Sequence, residues 1–123
     1  MKTFELEEAV HAALVGEFGE GAIYHYAAPT VEPSRYPIIV YSPVEDTPAL
    51  AGDDNEFAHR VTIRIFVIAA LKRFDADKRN FIAACDALPD IMETLGFVRL
   101  KTMPSREDGK LIYTFDFVKN ELC

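Results

Sequence analysis

Apolar side chains recur at three- and four-residue steps in two stretches of the chain, which predicts two amphipathic helices. The first helix is predicted over 3–18 and the second over 74–95. We expect Asp75 to cap the second helix and Gly96 to follow its end. Pro89 is expected to kink or split it, because proline removes a backbone donor and clashes with the preceding turn.

Strands are predicted where apolar residues alternate with polar ones, or where a short apolar run is bounded by turn residues. The longest alternation predicts a central strand, and Asp108-Gly109 predicts the turn of a closing hairpin. The predicted strands are 22–26, 38–41, 57–70, 97–103 and 110–118. Two loops separate the first three strands. The second loop, 45–56, contains five acidic residues and no basic one, so we expect it to be poorly ordered or to project.

The predicted order of elements is α-β-β-β-α-β-β. Hairpin-type connections favour an α+β fold with a mostly antiparallel sheet of four or five strands and both helices packed on one face. At 123 residues the chain is expected to form one domain over 1–123.

Charge is distributed unevenly along the chain. Residues 1–56 contain eleven acids and two bases, a formal charge of −9, whereas 57–123 contain nine acids and eleven bases, a charge of +2. Such an asymmetry of charge is informative about binding partners and not about the fold. Either the acids simply cluster early in an ordinary domain, or an acidic surface meets the basic surface of another copy.

The rest of the composition excludes several classes of protein. The net charge of −7 argues against nonspecific nucleic-acid binding, which depends on lysine and arginine. The two cysteines, Cys85 and Cys123, do not form a disulfide framework, and no leader or membrane segment is evident. These features lead us to expect a reduced protein of the cytosol.

Motifs for catalysis, phosphate binding or metal binding are not found, so we predict no catalytic residue, no cofactor and no metal ion. His11 is interpreted as a boundary residue of the first helix. His25, between Tyr24 and Tyr26, could contact a ligand, although strand aromatics usually serve packing. His59 follows Asp53, Asp54 and Glu56, but their spacing fits no known metal loop, so a solvated acidic loop is favoured.

Several segments resemble the small tail-completion proteins of long-tailed bacteriophages and prophages, also called tail terminators or tail-to-head joining proteins. The order of helices, long loops and terminal hairpin matches over nearly the whole chain. The segments that carry the resemblance are 36–42 (YPIIVYS), the acidic loop with Asp53-Asp54, 61–67 (VTIRIFV), 91–97 (IMETLGF) and 113–117 (YTFDF).

The resemblance implies a structural virion protein rather than an enzyme. Such proteins cap the finished tail tube as a ring, typically of six subunits, and provide the surface to which the filled head docks. The implied partners are further copies of the chain, the tail tube protein and a head-completion or connector protein, while DNA passes through without specific binding. The implied locations are the host cytoplasm during assembly and then the virion tail.

A closed ring requires two different patches on each subunit, and an acidic patch that faces a basic patch of the next subunit meets this requirement. Our candidate interface residues are Glu45, Asp46, Asp53, Asp54, Glu56, Arg64, Lys72, Arg73, Lys78 and Arg79. The acidic loop could instead line the lumen and repel DNA. Two alternatives stay open: another head–tail connector or neck subunit, and a small cytosolic ligand-binding domain or enzyme with a site around His25, Tyr24 and Tyr41.

Overall fold

A computed structural model describes residues 3–32, 35–51 and 56–122 of the chain. The elements follow the predicted order, with single-turn 3-10 helices at Glu20–Ala22 and Leu71–Arg73. The principal elements are α1 (Thr3–Phe18), β1 (Ile23–His25), β2 (Ile38–Ala51), β3 (Glu56–Ala70), α2 (Phe74–Thr94), β4 (Val98–Glu107) and β5 (Lys110–Leu122).

The five described strands form one sheet in the order β1-β2-β3-β5-β4. β1 runs parallel to β2, and every other neighbouring pair is antiparallel. The chain is therefore an α+β protein with a mostly antiparallel sheet, which confirms the predicted fold class.

Alternating positions of β3 point to the two faces of the sheet. The odd-numbered residues from Val61 to Ala69 join the main core with Leu6 of α1 and Leu88 of α2, so both helices cover the same face. Each large apolar side chain buried there contributes about 1.5–3 kcal/mol. A smaller cluster on the opposite face holds Tyr36, Ile38, Val40, Ile68 and Ala70.

The helices divide the sheet between them. α1 packs against β1 and β2, whereas α2 packs against β3 and β4. α1 therefore lies over the β1 end of the sheet and α2 lies towards the β4 end, and we call these the α1 half and the α2 half of the domain.

The expectation of a loop over 45–56 is wrong for its described part. β2 continues to Ala51 and pairs with β3 as far as Ala51 opposite Glu56. Register shifts next to Pro43 and Pro48 accommodate the prolines, which edge strands and bulges tolerate. Nδ1 of His59 on β3 also lies 2.7 Å from Oδ1 of Asp46 on β2. One acid of this segment therefore has a partner on the neighbouring strand. Residues 52–55 lie outside the described residues.

Two details of the second helix differ from expectation. Arg73, not Asp75, occupies the N-cap position, and Asp75 lies in the first turn, where the helix dipole favours an acid. Pro89 lies inside α2, and the helix continues to Thr94 without being split. Leu88 and Met92 on either side of Pro89 are fully buried, so packing against the sheet stabilises this part of the helix.

The closing hairpin is formed as predicted, with longer strands. Asp108 has φ 50° and Gly109 has φ 73°, which are the positive values that a tight two-residue hairpin turn requires at both central positions.

Candidate functional site

A pocket of about 420 Å³ opens between α1 and the β1–β2 strand pair. Strand β1 contributes His25 and β2 contributes Tyr41, while α1 contributes three residues at helical spacing. The lining residues are Glu7, Glu8, His11, His25 and Tyr41. Two acids, two imidazoles and one phenol thus meet at the β1 end of the sheet.

Glu7 is the polar centre of this pocket. Its exposed fraction is only 5%, and its Oε1 accepts two hydrogen bonds. The Tyr26 hydroxyl donates at 2.9 Å, and Nε2 of His25 lies at 3.1 Å. Because an ionised carboxylate can only accept, Nε2 of His25 carries the hydrogen in this pair. A buried carboxylate is tolerated here because both donors compensate its lost hydration.

The aromatic rings around Glu7 contact one another. The His25 ring stacks on Tyr41 with centroids 4.6 Å apart and an interplanar angle of 13°. The Tyr26 ring lies 3.9 Å from His25. Tyr41 also reaches His11, whose Nδ1 is 2.7 Å from the phenol oxygen. Packing and hydrogen bonds together orient both imidazoles of the pocket.

The backbone at Tyr26 adopts an unusual conformation. Tyr26 has φ 71°, and the Ala27 N–H donates to the His25 carbonyl at 2.9 Å, which makes Tyr26 the centre of a tight γ-turn. Its own N–H donates to the carbonyl of Tyr41 at 2.9 Å. A non-glycine residue in this region costs about 1–3 kcal/mol, so the backbone bond and the bond to Glu7 offset strain at the pocket rim.

The nearby carboxylate and burial raise the pKa of both phenols. The pKa of Tyr26 is raised above 10.0, chiefly by its hydrogen bond to Glu7. The pKa of Tyr41 is raised first by burial and then by the charge of Glu7. The raised pKa of Tyr26 matches its role as the donor of the hydrogen bond to Glu7.

The structure unites only part of the site suggested by the sequence. His25 and Tyr41 meet in the pocket, but Tyr24 belongs to the opposite face, and its hydroxyl accepts a 2.9 Å bond from Arg35. Adjacent strand residues point to opposite faces, so Tyr24 and His25 could not share a site. Sequence reasoning missed Glu7 and treated His11 as a boundary residue. Their four-residue spacing on α1 was the one available signal.

Only part of the candidate metal set lies within the described residues. Asp53 and Asp54 lie outside the described residues, and His59 pairs with Asp46. Among residues 3–32, 35–51 and 56–122, no group of three or more histidine, cysteine or acidic side chains could hold a metal ion.

The predicted interface residues are distributed over both halves of the domain. Glu45 and Asp46 are exposed on β2, and Lys72, Arg73, Lys78 and Arg79 are exposed around the start of α2. Of Glu56 only the strand backbone is described.

Two of the candidate bases have partners within the chain. Arg64 forms a bidentate pair with Asp116, at 2.8 and 3.1 Å. The hydrogen bond to Asp116 raises the pKa of Arg64. Arg73 lies 3.8 Å from Asp77, one helical turn away. Arg64 is therefore first a partner of the buried Asp116 carboxylate.

Strand β4 forms the other end of the sheet. It carries the exposed bases Arg99, Lys101 and Arg106. Two large apolar residues beside Arg99 are exposed as well, Val98 at 67% and Leu100 at 54%. The α1 end thus presents acids, whereas strand β4 presents three bases, one acid and the exposed apolar residues Val98 and Leu100. The neighbouring α2 carries five acids and two bases.

Neither α1 nor α2, the two α-helices of the described chain, is long and apolar enough to cross a membrane.

Comparison with known proteins identifies the fold and no family. No protein-family model matches the sequence, and no curated protein matches it. Solved structures of 21 chains are similar. One of them aligns with a TM-score of 0.53 and 11% sequence identity over 95% of each chain. At that identity the similarity shows a shared fold alone.

Proposed function

We propose that this protein is a structural subunit that closes a bacteriophage tail tube as a ring and joins it to the head. The resemblance to tail-completion proteins suggests this role. The structural observation that carries it is the opposite charge of helix α1 and strand β4, which lie at the two ends of the sheet. Glu5, Glu7 and Glu8 of α1 and Glu45 and Asp46 of β2 lie in the half that contains β1. Arg99, Lys101 and Arg106 lie on the last strand of the other half.

A ring is the assembly that such a subunit suits. A closed ring joins each copy to the next through two different patches, and the same contact repeats around the axis. Exposed ion pairs contribute only about 0–1 kcal/mol each. Several of them in every interface nevertheless select orientation and register, because wrong pairings bring like charges together.

The net charge of −7 also suits a passage for DNA. An acidic lumen repels phosphates, so DNA moves through without binding. In this proposal the remaining partners are the tail tube protein on one side and a head-completion protein on the other. The subunit assembles in the host cytoplasm and remains in the virion tail.

Electron microscopy of the purified protein at high concentration, combined with sedimentation, tests the proposal. We expect rings with about sixfold symmetry that dissociate as salt screens the charges beyond about 10 Å at 0.1 M. A protein that stays monomeric at every concentration and ionic strength would contradict a ring-forming role. A neck or connector subunit would also form rings, and capping of isolated tail tubes separates it from a tail terminator.

The pocket around Glu7 favours a second candidate function, a binding domain for a small cationic ligand. The supporting observations are its two carboxylates and, within the described part of the chain, a lining that includes no lysine or arginine. Tight binding of a free organic cation by a monomer that forms no rings would favour this candidate over the first.

A further inference from the structure

We propose that the pocket around Glu7 receives the Arg99 side chain of a second copy of this chain, so that the β4 end of one subunit docks at the β1 end of the next. This inference rests on the proposed ring assembly and names the contact that holds it together. The occupant is specified by charge complementarity and by the apolar neighbours of Arg99.

The pocket has the chemistry of a receptor for a guanidinium group. Of the five described residues that line it, two are acids and none is a lysine or arginine. Glu7 is held in place through Oε1 by Tyr26 and His25. Glu8 is exposed on the next position of α1. A carboxylate fixed in this way loses little freedom when a cation binds, which favours a charge-assisted hydrogen bond with arginine.

Arg99 is placed where its side chain is available to a second subunit. It lies on the last strand of the sheet, paired with Phe117 of β5, and it is exposed. Within the described residues it forms no ion pair at 4.0 Å or less. Val98 lies opposite Val118 and Arg99 opposite Phe117, so these two side chains point to different faces of the sheet. Leu100 occupies the register shift between Arg99 and Lys101. Both apolar side chains are exposed, so the edge strand presents apolar surface close to Arg99. An arginine close to exposed apolar side chains is typical of interface centres, where burial supplies affinity and the charge supplies orientation.

Side chains, rather than the strand backbones, are expected to make this contact. The outer side of β4 is interrupted by a register shift between Arg99 and Lys101 and by Pro104. β2, beyond its short pairing with β1, contains Pro43 and Pro48. Prolines and bulges prevent a continuous ladder of hydrogen bonds between sheet edges.

Charge reversal with a matched control tests the proposal. Arg99→Glu and Arg106→Glu change the net charge equally on the same strand, but Arg106 lies between Ser105 and Glu107 instead of between large apolar residues. Sedimentation equilibrium should show that Arg99→Glu weakens association at least about tenfold, whereas Arg106→Glu changes it by less than about threefold. Thermal unfolding monitored by circular dichroism verifies that each variant folds.

A rescue experiment identifies the pocket as the receptor. Glu8→Arg should weaken association as Arg99→Glu does, and the double variant Glu8→Arg with Arg99→Glu should recover most of the parent's affinity. If the parent forms rings and Arg99→Glu forms them equally well, the pocket contact is wrong while the ring proposal stands. A parent protein that never associates contradicts both.

Discussion

The hydroxyl of Tyr26 donates a 2.9 Å hydrogen bond to Oε1 of Glu7 from a residue whose backbone φ is 71°. The bond joins the turn after β1 to the first helix. It also places an exposed ring over a buried carboxylate. Helix, strand and turn therefore meet at one oxygen atom, and the geometry of the pocket depends on it.

Substitution of Glu7 should destabilise the protein much more than substitution of its neighbour. Glu7→Ala removes the acceptor of Tyr26 and His25 and leaves a void in a buried position, so we expect a loss of about 2–3 kcal/mol. Glu8 is exposed, and Glu8→Ala should change stability by no more than about 0.5 kcal/mol. Urea unfolding measures both, and equal effects would show that Glu7 is not a structural centre.

Stability should decline in alkaline solution because of the tyrosines. The folded-state pKa values of Tyr26 and Tyr41 lie above 10.0, so the folded state holds these protons more tightly than the unfolded state does. Their stabilisation is complete below about pH 10 and is lost as the pH rises through the folded pKa values. Replacing both with phenylalanine should flatten the pH dependence of unfolding above pH 10. An unchanged slope would contradict this assignment.

Cys85 should react slowly with alkylating reagents. Burial, assisted by the charge of Asp86, raises the pKa of its thiol from 9.0 to about 12. The reactive thiolate at pH 8 is then roughly a thousandfold scarcer than for an ordinary thiol. In a Cys123→Ser background, iodoacetamide should modify Cys85 far more slowly in native protein than in urea. Comparable rates in the two conditions would show that burial does not protect the thiol.

Removal of the Arg64 guanidinium should lower the stability of the fold, whereas removal of the Arg60 guanidinium should leave it nearly unchanged. Asp116 has an exposed fraction of 3%, and without Arg64 the one remaining ion-pair partner that the described residues give it is Lys101, at 3.8 Å. Because Arg64 is itself about a third exposed, we expect Arg64→Ala to cost about 2–3 kcal/mol, below the range for a fully buried pair.

Arg60→Ala is the matched control for that substitution. Arg60 lies on β3 four residues away and is exposed, so its loss should change stability by about 0.5 kcal/mol or less. Thermal and urea unfolding should rank the two variants in this order. A smaller effect at Arg64 than at Arg60 would mean that Asp116 tolerates burial without the guanidinium.

The pattern of apolar residues along the sequence was enough to predict those elements in which the apolar positions are the buried ones. The odd positions of β3 from Val61 to Val67 are fully buried, as the alternation predicts. The sequence predicts a loop over 45–51 because Pro48 and two acids disfavour a strand locally. Pairing with β3 outweighs that preference, with partners that range from Thr62 opposite Glu45 to Glu56 opposite Ala51.

In the candidate site, too, the sequence indicated one residue from its neighbours along the chain and missed another whose role depends on tertiary packing. The run Tyr24-His25-Tyr26 drew attention to His25, but Glu7 resembled any acid in the first turns of a helix. Glu7 is buried because β1 and its turn pack against α1, and its partner Tyr26 is 19 residues away. Helical periodicity alone could not predict that contact, because Glu7 is polar and forms part of no apolar stripe.

Disulfide trapping between subunits tests the assembly most directly. In a Cys85→Ala, Cys123→Ser background, Ala12→Cys, one helical turn after Glu8, and Leu100→Cys, next to Arg99, are introduced together, so that Glu8 and Arg99 are both retained. The protein is then oxidised at a concentration where it associates. The contact between the two sheet ends predicts a ladder of covalent oligomers that ends at one closed ring, and each single-cysteine variant should give almost no product. Products no larger than monomer, or dimers formed by the single-cysteine variants alone, would contradict head-to-tail assembly through these surfaces.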